Sequence, residues 1–285
     1  MESFELLRNI TIGQYLPTGS PLHGLDPRVK LVAFTLLCGA FLLGSGPVGM
    51  FLGFMALVGL LALASVPLRY ALQGLRPALP WLLLLPMLQL FILRPGAQSA
   101  VIWSWGFFNL TTGGLQMAVV TLGRFGALIL LISLLTFSTD VTALTHGAEG
   151  LLRPFQRIGL PAHELALVAT IALRFVPLLA GEMEQIMKAQ ASRGADFGTG
   201  RGGLVQRIRK IFPLLIPLFL VSLERAEALV LAMETRCYTG GRGRSHLIRL
   251  RSHPMDYAAL GLALILALAI VEADRWLLQG LGGWL

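Results

Sequence analysis

Charge is scarce in this sequence. Of its 285 residues only 13% are Asp, Glu, Lys or Arg, about half the share of an average soluble domain. Hydrophobic residues make up 55% of the chain, and the mean hydropathy is +0.72. A soluble fold could not cover so much apolar surface, so the lipid bilayer must be the solvent.

Several signals of chemistry are also missing. The two cysteines, Cys38 in an apolar run and Cys237 in a basic stretch, do not predict a disulfide. The chain has no Gly-Lys pair and therefore no Walker A sequence, so any nucleotide hydrolysis must occur on another subunit. Its five histidines lack metal-ligand spacing. We therefore expect no enzyme activity, no cofactor and no metal.

Apolar runs predict an all-α integral membrane protein with about five transmembrane helices. The polar first 26 residues lack the apolar core of a signal peptide, so we expect the first span to direct membrane insertion. A polar and aromatic connection, 94–114, separates the third span from the fourth. The predicted spans are approximately Lys30–Leu43, Val48–Leu68, Ala78–Leu93, Leu115–Phe137 and Pro254–Val271.

Basic residues orient these spans. Arg8, Arg28 and Lys30 precede the first span, and 15 of the 23 Lys and Arg residues lie in 138–253. Because cytoplasmic segments of membrane proteins are enriched in Lys and Arg, we expect a cytoplasmic N-terminus and an external C-terminus. The excess charge of +8 therefore indicates membrane orientation and not nucleic-acid binding.

The chain divides by these patterns into three regions. Residues 1–137 form an N-terminal transmembrane region of four spans, 138–253 a cytoplasmic region, and 254–285 a C-terminal transmembrane helix. Within the cytoplasmic region, Leu165–Ala180 and Ile211–Val221 are apolar but flanked by charge, which is typical of long amphipathic helices near the membrane surface. Whether Leu165–Ala180 enters the bilayer is left open by its composition.

Three features in the spans and loops have both a structural and a functional interpretation. Gly49 and Gly53 permit close helix packing, either within the chain or against a membrane partner. Arg124 lies within the fourth span, where it is solvated internally, reaches the interface, faces a partner or belongs to a substrate site. The glycine-rich segment 198–203 matches a dinucleotide fingerprint by letters, but no βαβ pattern surrounds it.

Two similar segments end the predicted amphipathic helices. Each has an alanine four residues before an arginine and a small residue after it: Ser192, Arg193 and Gly194 follow one approach, and Thr235, Arg236 and Cys237 follow the other. A cation is favoured at a helix C-terminus by the helix dipole alone. The repetition in matching settings favours a docking role, since a guanidinium can bind a carboxylate with two hydrogen bonds.

At these residues the sequence resembles the T component of energy-coupling factor (ECF) transporters, a family of ABC-type importers. The resemblance extends over nearly the whole chain in the same order. It rests on Arg8–Tyr15, Pro21–His23, Leu25–Lys30, Arg174–Pro177, Ala191–Asp196 and Ala232–Tyr238.

This resemblance implies a membrane scaffold whose cytoplasmic coupling helices dock into two ABC ATPase subunits, and which also binds a separate substrate-binding membrane subunit. The family's contact motif is typically Ala-Arg-Gly. The corresponding segments here are Ser192-Arg193-Gly194 and Thr235-Arg236-Cys237, which differ from it at the first position and, in the second segment, also at the third.

The predicted function is therefore a multi-pass subunit in a bacterial-type cell (inner) membrane that couples ATP hydrolysis on partner ATPases to substrate uptake. The N-terminal segment 8–15 favours a shared, vitamin-type module. A dedicated cobalt or nickel T component is the alternative within the family. Outside the family, the alternatives are a secondary transporter or channel, which would require ionisable residues along a path, and a membrane-bound enzyme.

Overall fold

The fold is described from a computed structural model. It covers residues 18–44, 46–67, 69–70, 74–92, 101–105, 108–159, 161–195, 204–240 and 253–282; of these, the side chains of 91–92, 101–110, 204–211 and 274–282 are not described. The glycine-rich segment 198–203 and the N-terminal segment 8–15 lie outside the described residues.

The described chain is predominantly helical, as the sequence predicts. It contains a short 3₁₀-helix, Arg153–Ile158, and one hairpin of two antiparallel strands, β1 (Val101–Trp105) and β2 (Phe108–Thr111). The α-helices are α1 (Pro27–Leu43), α2 (Pro47–Leu63), α3 (Leu79–Ile92), α4 (Thr112–Ser138), α5 (Val141–Leu152), α6 (Ala162–Ser192), α7 (Leu204–Thr235) and α8 (Pro254–Gly282).

Prolines and capping residues set the helix starts. Asp26 caps α1 by accepting a hydrogen bond from the Arg28 amide at 2.9 Å, and Pro27 occupies the first helical position. Thr111 caps α4 in the same way, through the Gly114 amide at 3.2 Å. α6 begins directly after Pro161.

The end of the second predicted span was placed too late. The sequence indicated Leu68, whereas α2 ends at Leu63. Ser65 there has a φ of +53°, and its amide and that of Val66 donate to the carbonyls of Ala62 and Leu61. This reversal is a Schellman motif, which satisfies the last carbonyls of a helix and stops it regardless of the apolar residues that follow.

Within the part of the chain that the structure describes, three helices are long and apolar enough to cross a membrane: Thr112–Ser138, Ala162–Ser192 and the 254–273 part of α8. Pro47–Leu63 and Leu79–Leu90 are apolar but shorter. These helices support a membrane protein, while the number of five spans remains a prediction. Few residues in the apolar part of α6 are fully buried, so part of its apolar surface is left for lipid or another protein to cover.

The described residues separate into two compact units. One comprises 18–148 and 253–282 and holds α1 to α4 and α8. Its core is formed where α1, α2, α4 and α8 pack together, around the almost fully buried side chains of Phe41, Leu57, Leu61 and Ile270. The other unit, from 149 to 240, is built mainly of α6 and α7, which contact each other.

Gly53 serves packing inside the first unit. A Cβ atom at this position would lie 2.5 Å from Cε1 of Phe41 and 3.2 Å from Cδ1 of Ile270. Gly49, one turn earlier, is also buried. The Gly49/Gly53 pair therefore permits α2 to approach α1 and α8 closely, and at Gly53 the interpretation as a surface for an exchangeable membrane partner is wrong.

Arg124 is solvated by the backbone of this same unit. Its Nη2 donates a hydrogen bond to the carbonyl oxygen of Gly44 at 2.6 Å. Gly44 is the C-cap of α1, where carbonyls lack partners within the helix and the helix dipole is negative. The arginine in the fourth predicted span therefore caps another helix, which is the internal placement among the alternatives that the sequence left open.

A polar cluster joins the ends of three helices on the opposite side of this unit. Asp256, at the start of α8, is 2% exposed and accepts hydrogen bonds from the amides of Asp26 at 2.9 Å and His253 at 2.6 Å. Lys30 donates to the carbonyls of Ser138, the last residue of α4, and His23. The starts of α1 and α8 and the end of α4 therefore lie together, so α4 runs antiparallel to the other two helices.

Candidate functional site: two matched helix ends

The helix α6 ends in a Schellman motif that contains the first arginine. Arg193 is the C-cap, and Gly194 follows with a φ of +87°. The Gly194 amide donates to the Ala191 carbonyl, and the Ala195 amide to the Gln190 carbonyl, both at 3.0 Å. This pairing is the one that defines the motif, and it requires a left-handed residue directly after the C-cap.

The helix α7 ends in the same way. Cys237 has a φ of +55°, and its amide donates to the Glu234 carbonyl at 2.9 Å. The Tyr238 amide donates to the Met233 carbonyl at 3.0 Å. Arg236 is thus the C-cap of α7, and every backbone bond at this end has its counterpart 43 residues earlier at the end of α6.

The residues before the arginines are also equivalent. Ser192 donates its hydroxyl to the Ala189 carbonyl at 2.8 Å, and Thr235 donates its hydroxyl to the Ala232 carbonyl at 3.1 Å. Each hydroxyl proton is therefore used within its own helix. Ser192 and Thr235 therefore add no free hydroxyl donor at either helix end.

Both arginines are exposed. Among the residues that the structure describes, no side chain forms a hydrogen bond or ion pair with either guanidinium. Each therefore presents its five N–H donors outward from a helix end, where a cation is stabilised by the dipole. Such a group can bind a planar carboxylate of another protein through two parallel hydrogen bonds.

The exposed arginine, and not the backbone motif alone, distinguishes these two ends. The end of α2 has the same Schellman geometry around Ser65, but its C-cap is Ala64, which is 0% exposed. A buried alanine cannot bind an external anion. The combination of a left-handed reversal with an exposed C-cap guanidinium is therefore shared by α6 and α7.

The structure gives a physical reason for the third position of the motif that the sequence argument missed. From the sequence, the residue after each arginine was described only as small. Its backbone is also left-handed, a conformation that glycine adopts freely and cysteine does not. A glycine after the last periodic residue of a helix is the sequence signal that could have revealed Gly194 as a cap.

A contact between α6 and α7 was also missed. Arg225 of α7 donates to Glu182 of α6 and forms an ion pair with it. Arg225 lies 43 positions after Glu182, the same interval that separates Arg236 from Arg193. The hydrophobic pattern gave no sign of this contact, because periodicity identifies a helix face but not its partner.

Other candidate chemistry is absent from the described part of the chain. No group of three or more His, Cys, Asp or Glu side chains there could hold a metal ion. His163 is paired with Glu149 at 2.9 Å. Cys38 and Cys237 are free thiols, and Cys237 is exposed.

The chain is similar to proteins of one membrane transport family. The family model CbiQ, cobalt transport protein, matches residues 18–247. The relative from Acidaminococcus fermentans, named energy-coupling factor transporter transmembrane protein EcfT, is 42% identical over 95% of this chain and 98% of its own length. Proteins of the same name are 38% identical in Ruminiclostridium cellulolyticum, over 91% of this chain and 95% of that protein, and 39% identical in Bacillus subtilis, over 92% and 97%.

These similarities cover both arginine-bearing helix ends, which fall within the matched residues. They agree with the apolar helices described above. The chain belongs to the CbiQ family, as a transmembrane T component of energy-coupling factor transporters.

Proposed function

We propose that the two matched helix ends are the contacts through which this T component binds two ABC ATPase subunits. The residues of the contacts are Ser192, Arg193 and Gly194 in one and Thr235, Arg236 and Cys237 in the other. The observation that carries the proposal is the repetition of an exposed guanidinium at the C-cap of two helices with the same backbone geometry. Two equivalent contacts suit two similar partners.

The arginines suit this role energetically. A hydrogen bond to a charged group contributes about 1.5–3 kcal/mol, and a bidentate pair also fixes orientation. Because the helix ends are held by their own backbone bonds, little further ordering is needed when a partner carboxylate binds. The ATPases would supply nucleotide hydrolysis, and this chain would transmit the movement.

The membrane part of the proposal follows the charge pattern. Residues 1–137 and 254–285 are the membrane-embedded scaffold with five spans, and 138–253 is the cytoplasmic coupling region. The N-terminus is cytoplasmic and the C-terminus external, in a bacterial cell membrane. The Lys30, Ser138 and Asp256 cluster supports this order, since it joins helix ends that the positive-inside rule assigns to the cytoplasmic side.

The proposed transport partner is a separate substrate-binding membrane subunit, with this chain acting as a shared, vitamin-type module. The names of the three relatives support a general module, because they refer to an energy-coupling factor transporter and to no particular metal. The family model's description refers to cobalt. Purification of the chain from its native membrane would separate the two: several different small membrane partners support a shared module, and one constant partner supports a dedicated one.

The ATPase contacts are tested with Arg193→Ala, Arg236→Ala and the double variant. Arg153→Ala is the matched control, since Arg153 is also an exposed cation of the second unit. We expect each single variant to weaken co-purification of the ATPases, and the double variant to abolish it together with ATP-driven uptake, while membrane insertion is retained. Normal ATPase recruitment and uptake by the double variant would refute the proposal.

A further inference from the structure

Glu182 and Arg225 form their ion pair at matching distances from the two arginine-bearing helix ends. Arg193 lies eleven residues after Glu182, and Arg236 lies eleven residues after Arg225. Both intervals are continuous α-helix up to the C-cap. At 1.5 Å per residue, each arginine is therefore about 16 Å along its helix from the same contact.

The ion pair is partly withdrawn from water. The side chain of Glu182 is 22% exposed and that of Arg225 is 35% exposed. Among the residues with described side chains, this is the one ion pair that joins α6 to α7. Apolar contacts between helices tolerate sliding and rotation, whereas an ion pair requires its two charged groups to stay within about 4 Å of each other.

Because both arginines lie far along their helices from the Glu182–Arg225 pair, a small rotation of a helix at the pair becomes a larger displacement at the helix end. A rotation of one helix by 10° about a point about 16 Å from its end displaces that end by about 3 Å. Hydrogen bonds to a carboxylate operate over a range of only a few tenths of an ångström. The separation of the two guanidinium groups therefore depends on how firmly the α6–α7 crossing is held.

We propose that the Glu182–Arg225 pair is a positioning contact that fixes the crossing of α6 and α7 and thereby sets the spacing of Arg193 and Arg236. The inference rests on the proposed ATPase contacts for its functional consequence. The structural claim is that this pair fixes the spacing of the two helix ends. That claim can be tested without knowing what binds at those ends.

The spacing is measured by pulsed electron spin resonance on the full-length chain in lipid nanodiscs. Spin labels are attached at Ala189→Cys and Ala232→Cys, two exposed positions related by the same shift of 43, in a background of Cys38→Ala and Cys237→Gly. These labels lie seven residues beyond the pair on each helix. A rotation of 10° moves a label by about 2 Å, which such a measurement resolves.

The variants are Glu182→Gln, Glu182→Arg, Arg225→Glu and the exchange of charges, Glu182→Arg with Arg225→Glu. We expect the single variants to broaden or shift the label-to-label distance, and the exchange to restore it. Glu182→Gln keeps the side-chain volume and serves where charge reversal prevents folding. Unchanged distances in the single variants, or an exchange no better than the single variants, would overturn the proposal.

A second readout separates positioning from mere stability. Uptake per ATP hydrolysed by the assembled transporter is expected to fall severalfold in Glu182→Gln and to recover in the exchange of charges. Arg193→Ala and Arg236→Ala are expected to leave the distance unchanged while reducing ATPase binding. If those two variants bind ATPases normally, the docking proposal fails and the distances still decide the role of the pair. If substitution of Glu182 leaves the label-to-label distance unchanged, the proposed role of the ion pair is refuted, whereas the docking proposal is unaffected.

Discussion

Gly194 and Cys237 occupy the same position in two successive helix ends, and both have a left-handed backbone, with φ angles of +87° and +55°. Each follows a C-cap arginine and donates its amide to a carbonyl of the last helical turn. Glycine adopts this conformation without strain, whereas a residue with a Cβ atom is destabilised there by about 1–2 kcal/mol. The end of α7 is therefore intrinsically less stable than the end of α6.

Cys237→Gly is expected to stabilise the end of α7. Relief of the left-handed strain, less the extra backbone entropy of glycine, leaves a gain of about 0.5–1 kcal/mol. Amide hydrogen exchange of the last turn, 233–238, should then slow about two- to fivefold. Cys237→Ala is the control, because it removes the thiol but keeps the Cβ atom, and it should leave exchange unchanged. A similar slowing in both variants would show that the thiol and not the backbone conformation limits this end.

Gly194→Ala is expected to destabilise the end of α6. No atom lies within 4 Å of the position that its Cβ would occupy, so the cost is conformational, about 1 kcal/mol. Exchange of amides 190–195 should accelerate about fivefold, and ATPase co-purification should weaken if this end docks as proposed. Gly194→Asn is the matched control, since asparagine tolerates the left-handed region. An equal effect of asparagine would contradict backbone strain as the cause.

Arg124→Met is expected to destabilise the helical unit that contains it. The change leaves the Gly44 carbonyl without the hydrogen bond from Nη2 at the end of α1. An unsatisfied polar group costs about 1–3 kcal/mol, and the midpoint of thermal unfolding in detergent should fall. Arg174→Met is the control, since Arg174 is exposed in α6. An unaltered midpoint for Arg124→Met, combined with lost uptake, would instead assign Arg124 to a transport path.

Gly53→Ala is expected to disrupt packing between α1, α2 and α8. The added methyl group would overlap the ring of Phe41, which is only 2% exposed and has little room to move. Overpacking of this kind costs about 1–3 kcal/mol. Gly59→Ala in the same helix has open space around its Cβ and should be neutral or stabilising. Recovery of the unfolding midpoint in Gly53→Ala combined with Phe41→Leu would identify the ring as the cause.

Asp256→Asn is expected to weaken the cluster that joins the helix ends. Both carboxylate oxygens accept backbone hydrogen bonds, from Asp26 and His253. The amide nitrogen of asparagine would face one of these donors, and a buried donor without an acceptor costs about 1–3 kcal/mol. The midpoint of thermal unfolding should therefore fall. Glu227→Gln is the control, because it also replaces a carboxylate by an amide but at an exposed position. Equal midpoints for the two variants would contradict the structural role of Asp256.

The sequence alone was sufficient for the membrane character, most helix positions and the two arginine segments. Apolar runs identify spanning helices, because a helix satisfies its own backbone hydrogen bonds within lipid. The shared residue pattern around Arg193 and Arg236 can be recognised from the sequence alone. The early end of α2 was not, because the reversal at Ser65 uses a residue that seldom adopts a positive φ.

The tertiary structure decided which residues meet. Arg124 and Gly44 are 80 positions apart, Asp26 and Asp256 are 230 apart, and Glu182 and Arg225 are 43 apart. Membrane helices are apolar on most faces, so their hydrophobic pattern fixes that they form but not how they pair. Composition and local propensity therefore determined the helices and the chemistry at their ends, while packing between helices determined which charges are solvated, which glycines are buried and how α6 is held against α7.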